Sequence, residues 1–223
     1  MTAAYWFVAV IMTYGAADYL FNWAGRKPWL HPVILPAIAG VWVIYWFDLP
    51  FAPFVEGIRV FHVLLMAAVV ALALPLYRSF AAIRKDPEAV ISAIVGGSIA
   101  GSGSAVALSM ALKAPMALSA SLASKSVTTP IAIVLAEEIG GIPSIAAAVV
   151  IITGLVVAII GPRFLHLFGI DGDITVGLAM GTAGHALGMA EAVRRSDLMG
   201  ASAAFAMAGN GLITAVLLPI IWP

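Results

Sequence analysis

The chain has 223 residues, 63% hydrophobic and only 10% charged, with a mean hydropathy of +1.08. A soluble domain of this length has no use for so much apolar surface, so the composition excludes one and indicates a polytopic membrane protein with short loops. Lys+Arg and Asp+Glu balance at 11 each, which offers no charge for nucleic acid, and the absence of cysteine excludes disulfides and thiol chemistry.

Apolar segments fall at 4–22, 31–47, 60–81, 88–112, 115–137, 143–161, 174–193 and 198–221. Each is close to the roughly 20 residues that a membrane-crossing helix needs. The expectation is an all-α bundle of about eight transmembrane segments. The first segment has no basic leader and no small-residue cleavage site, so it reads as a helix rather than a cleaved signal peptide. Near its end Asp18 has a structural role, snorkelling or pairing with Arg26 or Lys27. Trp6, Trp29, Trp42, Tyr45, Trp46 and Trp222 suit an aromatic belt at the two interfaces. The proline-rich stretch 48–56 is too short to cross and reads as an interfacial loop. No linker divides the chain. It reads as one transmembrane domain over 1–223, with N-terminal helices in 1–57 and three-helix units in 58–138 and 143–221.

The fourth segment carries a Gly/Ser run from Gly96 to Ser104, and the seventh carries Gly181-Thr182-Ala183-Gly184-His185-Ala186-Leu187-Gly188. Small residues of this kind serve close helix packing. They also mark broken helices whose unwound backbone lines a cavity. Gly97-Ser98 and Gly181-Thr182 lie about 84 residues apart, and Lys125-Ser126 is echoed by Gly209-Asn210-Gly211. That spacing relates segments 3–5 to 6–8 as two inverted three-helix repeats with broken helices, a sign of a transporter site.

The fifth segment holds the most expensive residue. Lys125 sits in Ser124-Lys125-Ser126-Val127-Thr128-Thr129-Pro130, inside an apolar run. A lysine at that depth costs roughly 2.5–3.5 kcal/mol on insertion scales, so a functional role is the default reading. Pro130 has no amide hydrogen and leaves the carbonyl of Ser126 without its helical donor, for which the hydroxyls of Ser126, Thr128 and Thr129 are candidates. An opened helix presenting a cation, hydroxyls and helix N-termini suits a carboxylate. Lys125, Ser126, Thr128, Thr129, Ser102, Ser104, Thr182, His185 and Asn210 are the candidate substrate-binding residues. Glu137 and Glu138 end the fifth segment in a solvated turn, and Glu191 stands about two turns beyond His185. No nucleophile elbow, metal-spaced histidine pair or catalytic carboxylate pair is present, so the chain does not read as an enzyme.

Basic residues set orientation. With the N-terminus outside and eight crossings, Arg26, Lys27, Arg78, Arg84, Lys85, Arg194 and Arg195 lie inside, whereas Arg59, Lys113 and Arg163 lie outside.

The strings Ser121 to Ala132 and Gly181 to Gly188, with Ala71 to Tyr77 and Gly140-Gly141-Ile142-Pro143, resemble the LrgB/CidB family from about Phe61 to Pro219. The chain departs from the family pattern at Ser124, where proline is usual, at Met189, where threonine is usual, and at Ala67 and Glu191. The resemblance implies a bacterial cytoplasmic-membrane protein. Two activities follow from it. One is export or uptake of small monocarboxylates such as pyruvate, lactate, glycolate or glycerate. The other is antiholin-like regulation of murein hydrolases with a small LrgA/CidA-type partner. The residues favour transport by alternating access around Lys125, coupled to protons or Na⁺, with no bound cofactor and a homodimer as a suitable assembly.

Overall fold

The computed structural model describes residues 3–25, 30, 32–71, 77, 80–81 and 84–222, and every regular element among them is helical. Arg26, Lys27, Trp29, Arg78 and most of the Ala71 to Tyr77 string lie outside the described residues. The chain divides into two compact units, residues 1–71 and 72–223.

The first unit contains α1 (Ala3–Trp23), α2 (Ile34–Trp46) and α3 (Phe51–Ala71). The stretch expected as an interfacial loop belongs largely to α3. Pro50 precedes the helix and Pro53 sits in its first turn, where the missing amide hydrogen has no helical acceptor in any case. Trp6, expected at the interface, is instead buried and packs edge-on against Phe54 at 5.2 Å. Trp42 and Trp46 are exposed and stack on each other.

The second unit contains α4 (Pro87–Ala111), α5 (Met116–Ala123), α6 (Thr129–Glu138), α7 (Pro143–Leu167), α8 (Asp173–Val193) and α9 (Asp197–Ile221). Among the described residues, four helices are long and apolar enough to cross a membrane: α1, α4, α7 and α9. At 25 residues each, α4, α7 and α9 measure about 37 Å, more than the ~30 Å hydrocarbon core. Their outward faces carry exposed Ile91, Ile99, Leu108, Ile152, Val156, Ile160, Leu212 and Val216, a surface suited to lipid rather than water.

Local sequence explains where these helices start. Asp86 caps α4 by accepting the N–H of Ala89 at 3.1 Å, and Pro87 occupies the first turn. Pro143 opens α7 in the same way. Ser196 caps α9 by accepting the N–H of Met199 at 3.0 Å. The Gly/Ser run from Gly96 to Ser104, expected as a break, lies within the continuous helix α4. There Ser98 and Ser104 donate to the carbonyls of Ile94 and Gly101, so the hydroxyls are satisfied without unwinding.

The other two expected interruptions, at residues 124–130 and in the run 181–188, are present, and both reverse the chain. Residues 124–128 separate α5 from α6. The N–H of Ile142, just past α6, donates to Ser121 Oγ at 2.7 Å, which brings the end of α6 back beside α5. A ten-residue helix spans about 15 Å, so a straight continuation would carry Ile142 far from Ser121. In α8 the reversal is at His185, whose φ of 42° and ψ of −133° are not helical. Its two arms, 173–184 and 186–193, pack on each other. Val176, Met180, Met189 and Ala192 share one apolar cluster, and a Cβ on Gly188 would strike the carbonyl of Met180. Ser196 Oγ donates to Asp173 Oδ2 at 2.6 Å, so the chain leaves this hairpin where it entered. The fifth and seventh segments, expected as single crossing helices, are therefore hairpins of two short arms.

Neighbour contacts fix the directions within this unit. Val90 and Ile94 cluster with Ala201 and Ala206, while Ser98 to Gly103 line a groove with Ile213 to Ile221, so α4 and α9 run parallel. Ala132 and Ala136 pack against Ala146 and Val150, so α6 and α7 run antiparallel. The α5–α6 hairpin enters from the face where α4 ends, marked by the Ser109–Ser119 hydroxyl bond at 2.8 Å. The α8 hairpin enters from the opposite face, where α7 ends and α9 begins.

Candidate functional site

The two hairpin tips meet inside the second unit, and Asn210 of α9 joins them. Its side chain is 1% exposed. One amide hydrogen goes to the carbonyl of Ser126 at 2.7 Å and the other to the carbonyl of Thr182 at 3.2 Å. The carbonyl of Ser126 has no donor four residues on. Pro130 has no N–H to offer Ser126. Thr182 lies in the arm that leads into the reversal at His185, and its carbonyl receives the second amide hydrogen there. Thr214 donates to Asn210 Oδ1 at 3.4 Å and holds the amide in this orientation. The orphaned carbonyl of Ser126 thus takes its donor from another helix, not from the nearby hydroxyls.

The first tip presents Lys125, Ser126, Thr128 and Thr129. Lys125 is half-buried, and its Nζ donates to Ser126 Oγ at 3.1 Å. It forms no ion pair among the described residues. Thr128 precedes α6, whose first turn has no side-chain cap. The uncapped N–H groups there carry the partial positive charge of a helix N-terminus. Gly101 of α4 faces this tip, since a Cβ there would lie 3.3 Å from Ser126 Oγ.

The second tip presents Thr182 and His185, both buried. His185 Nε2 lies 2.8 Å from the carbonyl oxygen of Val150. A carbonyl only accepts, so Nε2 carries the hydrogen and Nδ1 remains a free acceptor. The ring fits because residue 154 is glycine: a Cβ there would lie 2.5 Å from His185 Cε1. Gly97 of α4 plays the same part for Thr182, with a Cβ falling 2.8 Å from Thr182 Cγ2. α7 touches both tips, through Val150 to Val127 in one and to His185 in the other.

Seven of the nine candidate residues therefore gather at the tips and their bridge: Lys125, Ser126, Thr128, Thr129, Thr182, His185 and Asn210. The other two do not join them. Ser102 is half-buried and lines the α4–α9 groove with Thr214, and Ser104 is exposed and bonded to its own helix. Glu191 pairs with Arg195 at 2.8 Å at the base of the second hairpin. Asp18 accepts from Asn22 Nδ2 at 3.1 Å, within α1. Sequence reasoning noted Gly97 and Gly101 only as members of a Gly/Ser run and missed Val150 and Gly154, whose only signal is small size or an apolar type shared with many others.

Four helices long and apolar enough to cross a membrane, in an all-helical set of described residues, define the class as a helical membrane protein. It belongs to the LrgB family: the LrgB-like family matches residues 10–223. Over all 223 of its residues, and 97% of theirs, it is 30% identical to proteins named antiholin-like protein LrgB from Bacillus mycoides (strain KBAB4) and Bacillus cereus (strain B4264). A Bacillus anthracis protein of the same name (strain CDC 684 / NRRL 3495) matches at the same 30% identity. No solved structure matches the chain.

Proposed function

We propose that this protein is a secondary transporter of small monocarboxylates, including 2-oxo and 2-hydroxy acids such as pyruvate, lactate and glycolate. The observation that carries this reading is Lys125, a cation without a carboxylate partner among the described residues, at the tip of one hairpin that Asn210 ties to the tip of a second hairpin of opposite entry. A structural lysine in a membrane pairs with an acid or snorkels to the interface. This one bonds a neighbouring hydroxyl instead and keeps two ammonium hydrogens for a guest.

The arrangement also supports inverted repeats, though of a different unit from the one the 84-residue spacing suggests. α4 and α7 each have 25 residues, each opens on proline, and they start 56 residues apart at Pro87 and Pro143. Each is followed by a hairpin, the first starting at Met116 and the second at Asp173. A crossing helix plus a hairpin, repeated with opposite direction, places one hairpin at each face. Alternating access then moves one hairpin at a time around the common tip. His185 Nδ1 is the group suited to take up a coupling proton, and Na⁺ is the other candidate ion.

Charge supports a location in the bacterial cytoplasmic membrane with a definite orientation. Arg84, Lys85, Arg163, Arg194 and Arg195 lie toward the face entered by the α8 hairpin, against Lys113 toward the other. The positive-inside rule makes the first of these faces cytoplasmic.

Uptake of labelled pyruvate, lactate or glycolate into proteoliposomes tests the reading. The wild-type chain gives saturable flux, and Lys125→Met abolishes it. Undiminished flux through folded Lys125→Met protein refutes the mechanism. The names of the Bacillus relatives favour a second reading, an antiholin-like protein, to which the family resemblance adds regulation of murein hydrolases with a small LrgA/CidA-type partner. That reading predicts effects on dye leakage or on hydrolase activity that are indifferent to Lys125.

A further inference from the structure

We propose that Ser124 is a specificity-determining residue that hydrogen-bonds the oxygen on C2 of the transported acid, so that the site selects 2-oxo and 2-hydroxy acids over unsubstituted ones. The inference rests on the transport reading above and identifies which members of the substrate class the site prefers.

Seven serines in the described chain are buried: Ser98, Ser109, Ser119, Ser121, Ser124, Ser126 and Ser202. Six have a partner. Ser98, Ser109, Ser121 and Ser202 donate to carbonyls three or four residues back, Ser119 bonds Ser109, and Ser126 accepts from Lys125. Ser124 is the exception: it is 0% exposed, and its Oγ has no hydrogen-bond partner. A serine at the end of a helix ordinarily turns its hydroxyl onto the preceding turn, as its neighbours do. A buried hydroxyl left without that bond needs a partner of another kind.

Position says which kind. Ser124 ends α5 at the hairpin tip and directly precedes Lys125, across the turn from the uncapped start of α6. Lys125 and the N–H groups of α6 only donate, which suits a carboxylate. A serine hydroxyl both donates and accepts. It can donate to a 2-oxo oxygen, and it can accept from a 2-hydroxyl as well as donate to it. Acetate and propionate carry no oxygen on C2, so with their carboxylate held by Lys125 and the α6 N–H groups they leave the hydroxyl orphaned. A site built to bond a ligand oxygen rejects the analogue that lacks one.

The test is equilibrium binding of pyruvate, lactate, acetate and propionate to the purified full chain, by competition against labelled pyruvate. The wild type should prefer pyruvate and lactate by about tenfold, the scale of one net hydrogen bond. Ser124→Ala should bring all four within about twofold of one another while acetate affinity is unchanged, and its melting temperature reports that it is folded. An unchanged preference in Ser124→Ala overturns the assignment, leaving that hydroxyl with water or nothing. Should Ser124→Ala not fold, the wild-type ratio decides, and equal affinity for pyruvate and acetate overturns it. A wild type that binds no carboxylate at all refutes the transport reading itself, which separates that failure from failure of the Ser124 role.

Discussion

Asn210 shows how one side chain makes an unusual backbone tolerable. Proline in one hairpin strands the carbonyl of Ser126, and a single amide bonds both that carbonyl and the carbonyl of Thr182 in the other hairpin. With its hydrogens committed, Asn210 acts on a ligand only through the backbone it holds. A buried group robbed of its partner costs roughly 1–3 kcal/mol. Asn210→Leu removes both bonds, strands the Ser126 carbonyl and adds bulk, so it should destabilise the chain by about 2–4 kcal/mol. Asn210→Gln, which keeps the amide, should lose less. Thermal unfolding in detergent checks this, and a Leu variant as stable as wild type would remove the clamp from the account. His185 is the complementary case, a non-glycine residue at a φ of 42°. Such conformations persist where the surroundings over-determine them, and here the bond to Val150 and the space at Gly154 do so.

At the scale of elements, glycine decides how closely the second hairpin approaches α9. A Cβ on Gly181 would overlap the carbonyl of Ala203, and one on Gly177 would overlap the carbonyl of Met199. Backbone rather than a flexible side chain stands in the way, so the hairpin must shift as a body. Gly96, in the run that looks most like a break, lies in a continuous helix, and a Cβ there would meet nothing within 4 Å. Gly181→Ala should therefore lower the melting temperature sharply and Gly96→Ala should leave it unchanged or raise it, alanine being the better helix former by about 1 kcal/mol. Equal effects of the two substitutions would contradict the packing described.

The same contrast shows what could be read from the chain. Lys125 and Pro130 announced a broken element because a buried cation and a missing amide hydrogen are local costs visible in the letters. The glycines of α4 and α8 look alike in sequence, yet one set lies in a straight helix and the other accompanies a reversal. Only tertiary contact separates them. Seven of the proposed site residues gather, while Ser102 and Ser104 do not: Ser102 turns into the groove beside α9 and Ser104 to the exposed surface, a difference set by where α9 runs. Hydropathy detects length and apolarity, and a hairpin of two short helices satisfies both as well as one crossing helix does.

Treating two segments as hairpins changes the whole molecule's relation to the membrane, and Arg163 reports it. If residues 115–137 and 174–193 crossed, Arg163 and Arg194 would lie on opposite faces. With both segments re-entrant, the end of α7, both ends of α8 and the start of α9 share one face, so Arg163 and Arg194 lie together and Lys113 lies opposite. The chain contains no cysteine, so single cysteines can be placed without background. Arg163→Cys and Arg194→Cys should react with a membrane-impermeant maleimide only from the cytoplasmic side, in inside-out vesicles. Lys113→Cys should react only in intact spheroplasts. Labelling of Arg163→Cys and Arg194→Cys from opposite sides would restore two full crossings and remove the opposed hairpins on which the proposed gating depends. The outcome bears on function because a hairpin entering from each face gives a central site two separate doors, whereas a simple bundle of crossings provides neither.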